Sequence, residues 1–142
     1  MPANTAPIFT KVGDVQWIRG ITTANTTTDL TSGTSYLVFE ADATNGGYVQ
    51  RIRFKAVTGT GNNNIATVAR IWINNGASTT TAANNILFDE ISLAATTGSP
   101  TSALSVYELP LNIALPAGNK IYITLGTAVS AGYYATVIGG KY

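Results

Sequence analysis

The chain has 142 residues, enough for one domain with a single buried core. Eight Lys+Arg against seven Asp+Glu leave a net charge of +1, and only 11% of residues are charged, which excludes the positive excess of a general nucleic-acid binder. There is no Cys and no His, so disulfides, thiolate nucleophiles, imidazole bases and the commonest metal ligands are excluded together.

Thr (22), Ala (19), Gly (14) and Asn (12) fill the chain instead. Thr suits a pleated surface because its Cβ is branched, and Asn and Gly suit turns because both tolerate positive φ. This composition predicts an all-β domain whose polar faces carry hydroxyls and amides rather than charge. Residues 1–7 have neither the basic nor the apolar region of a signal peptide. No stretch approaches the length of a membrane span. The expectation is a soluble chain made in the cytosol, with no membrane partner. Residues 1–11, with two prolines and the apolar pair Ile8 and Phe9, read as an extended arm ahead of a single domain over 12–142.

Strands follow from period-2 alternation and from Gly, Asn, Pro and Ser punctuation. The first is predicted over 15–21, with Trp17 at its centre, and a Thr/Asn-rich loop follows over 22–35. A second strand covers 35–41. Asn45-Gly46-Gly47 is a turn signal. Over 48–57, Ile52, Phe54 and Ala56 share one face while Arg51, Arg53 and Lys55 share the other. A fourth strand is predicted over 65–74, with Ile65, Thr67, Ala69, Ile71 and Ile73 on one side and Trp72 on the opposite side with Val68. Residues 86–93 read as a strand, although Leu87, Ile91 and Ala94 also fit helical spacing over 85–95. The segment 104–115 is extended, and Pro110 places it at a sheet edge or at a bulge. Residues 120–127 alternate with Ile121, Ile123 and Leu125 inward, and a last strand covers 133–139.

Eight strands and no convincing helix or repeat predict a two-sheet antiparallel sandwich, jelly-roll-like in its connections. A hairpin of 35–41 with 48–57 would set Glu40 opposite Arg51, Leu37 opposite Phe54 and Phe39 opposite Ile52. A jelly roll instead sends most consecutive strands to opposite sheets.

Few residues suggest chemistry. Asp89 and Glu90 are adjacent, so on a strand they point to opposite faces. Glu40 and Asp42 share a face, but read as a solvated strand end. The Asp42–Gly47 stretch lacks the spacing of a calcium loop and reads as a turn. No Ser or Thr has a base partner, and no phosphate-binding glycine loop is present. No catalytic, cofactor or metal residue is therefore assigned. The candidate interface residues are Ile8, Phe9, Arg51, Arg53, Lys55, Trp72 and Tyr134. Arginine and aromatic residues are enriched at interfaces, and an aromatic on a polar face can also stack a sugar ring.

The second half carries a resemblance. Ile86-Leu-Phe-Asp-Glu-Ile-Ser-Leu93 is followed by Tyr107-Glu-Leu-Pro-Leu-Asn-Ile-Ala-Leu-Pro-Ala-Gly118, then Ile121-Tyr-Ile-Thr-Leu-Gly-Thr127 and the ending Gly139-Gly-Lys-Tyr142. Over 86–142 the chain resembles small tailed-bacteriophage virion proteins of the capsid decoration or cement type. The resemblance implies a non-enzymatic β-sandwich on the capsid exterior. Its expected partners are the major capsid protein and copies of itself, as a homotrimer. The alternative is a carbohydrate-binding or receptor-binding module on the virion surface.

Overall fold

The computed structural model describes residues 10–142. Ile8 and Phe9, with most of the expected arm, lie outside the described residues. The strands are β1 (Val12–Ile21), β2 (Tyr36–Glu40), β3 (Gly47–Ala56), β4 (Asn63–Asn64), β5 (Thr67–Asn74), β6 (Asn85–Leu93), β7 (Thr96–Thr97), β8 (Val106–Leu115), β9 (Lys120–Leu125) and β10 (Tyr133–Lys141). Among the described residues there is no α-helix, only a short 3-10 turn at Ala82–Asn84. The helical spacing of 85–95 is overridden: the segment pairs with β5 as strand β6, as its Ile and Phe content favours.

Two four-stranded antiparallel sheets form a sandwich. The first has the order β1-β10-β3-β8 and the second β2-β9-β5-β6, with β4 and β7 as a small separate pair. Apart from the β5–β6 hairpin, successive long strands change sheet. The β2–β3 hairpin register is thus not formed. Glu40 sits opposite Lys120 of β9, and Arg51 opposite Pro110 of β8. The short connection between β2 and β3 turns between sheets instead. Asp42 Oδ1 accepts the backbone N–H groups of Thr44 (3.0 Å) and Asn45 (2.8 Å) there. This is an Asx-type turn of the kind that starts a reversal without continuing the ladder.

The inward faces are those the alternation predicts. Ile52, Phe54 and Ala56 of β3 and Ala135 and Val137 of β10 are buried in one cluster with Ile121, Ile123 and Leu125 of β9. Each Val, Leu, Ile or Phe among them stabilises the sandwich by about 1.5–3 kcal/mol relative to exposure. Ile65 departs from expectation: it lies between β4 and β5 and is exposed. Pro110 sits where its missing N–H costs least, on edge strand β8 at a register shift opposite β3. The same irregularity reaches β10, whose register shifts between Ile138 and Gly139. A Cβ at Gly139 would collide with the Tyr48 carbonyl oxygen, so only glycine fits this approach.

The open side of the sandwich between β1 and β2 is bridged by side chains, Tyr36 Oη accepting the Thr22 and Thr23 N–H groups just after β1 and Gln16 binding the end of β2. Gln16 donates from Nε2 to the Glu40 carbonyl (2.9 Å) and accepts the Glu40 N–H at Oε1 (3.0 Å). It thereby satisfies backbone groups that an edge strand would leave unpaired.

Candidate interaction surface

The two outer faces of the sandwich differ. On the second sheet, the 22–35 loop crosses from one side to the other. It is tied to β9 by the Asn25 N–H donating to the Leu125 carbonyl (2.8 Å) and to β6 by Asn85 Nδ2 donating to the Asp29 carbonyl (3.0 Å). The loop is held in shape by Asn25, itself buried. Its Nδ2 donates to the carbonyls of Ser32 (2.9 Å) and Thr34 (3.0 Å), and its Oδ1 accepts the Thr27 N–H (3.0 Å). Under this cover Trp72 is 2% exposed, and its Nε1 donates to Thr124 Oγ1 (2.9 Å). Leu30 is buried as well, and neither residue belongs to the inter-sheet core. The cover therefore has a small core of its own. Trp72 does not meet the expectation of an interface or sugar platform, because its ring is already packed and its polar atom already bonded. The cleft beside it, about 310 Å³, is lined by Thr26, Thr27, Thr28 and Leu87 and by Arg70 and Glu90. Those last two form an ion pair at 2.9 Å.

The outer face of the first sheet has no such cover among the described residues. Register places its side chains in rows across the strands. Trp17, Thr136, Arg53 and Glu108 form one row, and Val15, Ile138, Arg51 and Pro110 form the next. Tyr134, Lys55 and Val106 form a third. Four of the expected interface residues, Arg51, Arg53, Lys55 and Tyr134, are thus gathered on one surface. The Arg19 guanidinium lies over the Tyr134 ring, 5.6 Å from its centre, within cation–π range. Lys55 Nζ donates to the Leu104 carbonyl. Arg51 Nε is 3.8 Å from Glu108 Oε1, but this nitrogen is buried without a hydrogen bond. Arg53 is exposed.

Sequence reasoning did not single out Trp17 as an interface residue. It is 68% exposed, the least buried of the large apolar residues, and stands beside exposed Val15 two positions away on the same face. The signal was present in the alternation of β1, where apolar residues occupy both faces: Ile18 packs against the core while Val15 and Trp17 do not.

The surface is also electrically distinct. It carries Arg19, Arg51, Arg53 and Lys55 against the single carboxylate of Glu108. The remaining four cations, Lys11, Arg70, Lys120 and Lys141, face six carboxylates. The near-neutral total hides one sheet face at +3 and a remainder at −2.

The carboxylates weighed as a catalytic pair have other engagements. Glu40 lies 3.8 Å from Lys120 Nζ. Asp42 caps its turn, and the Asn45 and then the Thr44 N–H donors hold its carboxyl below the ordinary value. Asp89 Oδ1 accepts the Glu90 N–H (2.7 Å).

No protein-family model matches this chain, and comparison with curated proteins and with solved structures gave no match. The class the structure defines is an antiparallel β-sandwich with one outer face covered by the 22–35 loop and the other bare among the described residues.

Proposed function

We propose that this chain is a non-enzymatic structural protein of a bacteriophage virion. It decorates the capsid exterior and stabilises it through contacts with the major capsid protein and with copies of itself, as a homotrimer. The observation that carries this reading is the bare outer face of the first sheet. On it Trp17, Val15 and Tyr134 stand among arginines, the residue mix that interface centres favour. The motifs of 86–142 support it as well. So does the strand order, in which eight long strands change sheet at nearly every connection; this supports reading the sandwich as a jelly roll.

A cryo-EM map of the parent particle tests the reading. The expected result is density for the sandwich on the outside of the shell. Absence from the particle, or density confined to a tail tip, overturns it. Exposed Trp17 also favours a second reading, a glycan-binding or receptor-binding module. Binding on a glycan array that is lost in Trp17→Ala or Tyr134→Ala without unfolding would establish that alternative.

A further inference from the structure

The polarity of the bare face has a counterpart elsewhere on the molecule. Among the described residues, edge strand β6 pairs only with β5. It carries three consecutive exposed apolar residues, Ile86 (63% exposed), Leu87 and Phe88. They are followed at once by two carboxylates, Asp89 and Glu90, of which Glu90 is ion-paired with Arg70 of β5 at 2.9 Å. An exposed apolar edge strand invites association, and isolated domains usually protect such an edge with lysine, proline or a cover. Here the edge is apolar and acidic, while the outer face of the first sheet is apolar and basic. The two surfaces belong to different sheets, so one copy cannot join them within itself.

We propose that copies of this chain associate head to tail, the Trp17–Arg53 face of one copy seating on the Ile86–Glu90 edge of the next. Charge chooses between the possible contacts between copies. Face against face would oppose four cations with four cations, each partly offset by one Glu108, and like charges brought together disfavour that pairing. Face against edge brings the basic face to Asp89, which is in no ion pair among the described residues, and covers Trp17 and Val15 with Ile86 and Phe88. A contact between two different patches of the same chain is heterologous, and repeats of it close into a ring when the rotation allows. A threefold ring fits the trimer of the proposed function. The inference rests on that reading only for self-association, not for a location on a capsid.

The test uses the full chain and two variants at solvent-exposed positions, followed by analytical ultracentrifugation. Trp17→Ala/Arg53→Glu removes the face, and Ile86→Lys places a cation on the edge. Circular dichroism and thermal melting establish that both remain folded. The expected result is that wild type forms a closed oligomer, while each variant alone dissociates with a constant raised at least tenfold. An equimolar mixture of the two variants should form a one-to-one dimer and nothing larger. In it the intact edge of the first variant meets the intact face of the second, and the ring cannot close. A monomeric wild type across the micromolar range overturns the inference, as do variants that assemble like wild type. A Trp17→Ala/Arg53→Glu variant that associates more tightly would show a face-to-face contact instead. If the chain is monomeric in solution but present on the capsid exterior, this inference fails while the proposed location on the capsid stands.

Discussion

The two tryptophans of this protein occupy outward positions on opposite sheets and have opposite fates. Trp72 lies beneath the 22–35 loop with its indole N–H bonded to Thr124, whereas Trp17 stands on the first sheet with 68% of its surface open. Among the described residues, the same sandwich thus presents one finished face and one bare face. The difference lies in the long connection between β1 and β2, which is anchored at Leu125 and Asn85 and shaped by Asn25. A buried aromatic contributes to folding, and an exposed one on a face rich in cations is available to a partner. Position adds to the cover: Trp72 lies on β5, flanked by β9 and β6, and Trp17 on edge strand β1.

Substitution separates these roles, and the largest effect is expected at Trp72. Trp72→Ala should lower unfolding free energy by about 3–5 kcal/mol, as for large-to-small changes at buried positions, in urea or guanidinium titration. A loss under about 1 kcal/mol would mean that the loop covers nothing of value. Next is Asn25→Ala, which strips partners from two carbonyls and one N–H within the cover. The expected cost is about 2 kcal/mol, with Trp72 fluorescence becoming accessible to acrylamide while the sheets persist by circular dichroism. Unchanged quenching would show that the cover holds its shape without Asn25. Gln16→Ala breaks the clasp between β1 and β2 and should cost about 1 kcal/mol, measured in the same titration. Trp17→Ala, by contrast, should stay within about 0.5 kcal/mol of wild type.

Protonation should have the smallest effect. In the folded chain the Thr31 hydroxyl, then its N–H, hold the Asp29 carboxyl below its ordinary value of 3.8, and Asp42 is lowered likewise by its turn N–H groups. A folded-state value below the unfolded one means stability that is present above the unfolded value and lost as pH falls through the folded value. Melting temperature should therefore be flat from about pH 5.5 to 8, where neither His nor Cys is present to titrate. It should decline only below about pH 4. A step of several degrees inside the flat window would contradict this account.

Much of the fold was legible because alternation is a strong signal wherever one face is buried. The inward positions of β3 and β9 follow from period 2 alone, and Pro110 correctly marked an edge with a bulge. Three features were not legible for identifiable reasons. The β4–β7 pair is two residues long on each side, too short to alternate. The helical spacing of 85–95 arose from apolar residues on both sides of an edge strand. Arg51 and Glu40 face partners in different sheets, which depends on where the connection after Glu40 turns, and hydrophobic register does not encode that. At the candidate surface, the arginine stripe was visible in β3. Its junction with Trp17 required the pairing of β1 with β10 and of β10 with β3, contacts separated by most of the chain.

The central claim is that the bare face is the one that meets a partner, and side-chain oxidation reads this directly in the unaltered chain. Hydroxyl-radical footprinting with mass spectrometry would follow both tryptophans in dilute solution and in the assembled state. The account predicts that Trp72 is protected throughout, while Trp17 is oxidised in the dilute chain and protected at least several-fold on assembly. Equal oxidation of Trp17 in both states, or a Trp72 as reactive as Trp17 in the dilute chain, would contradict it.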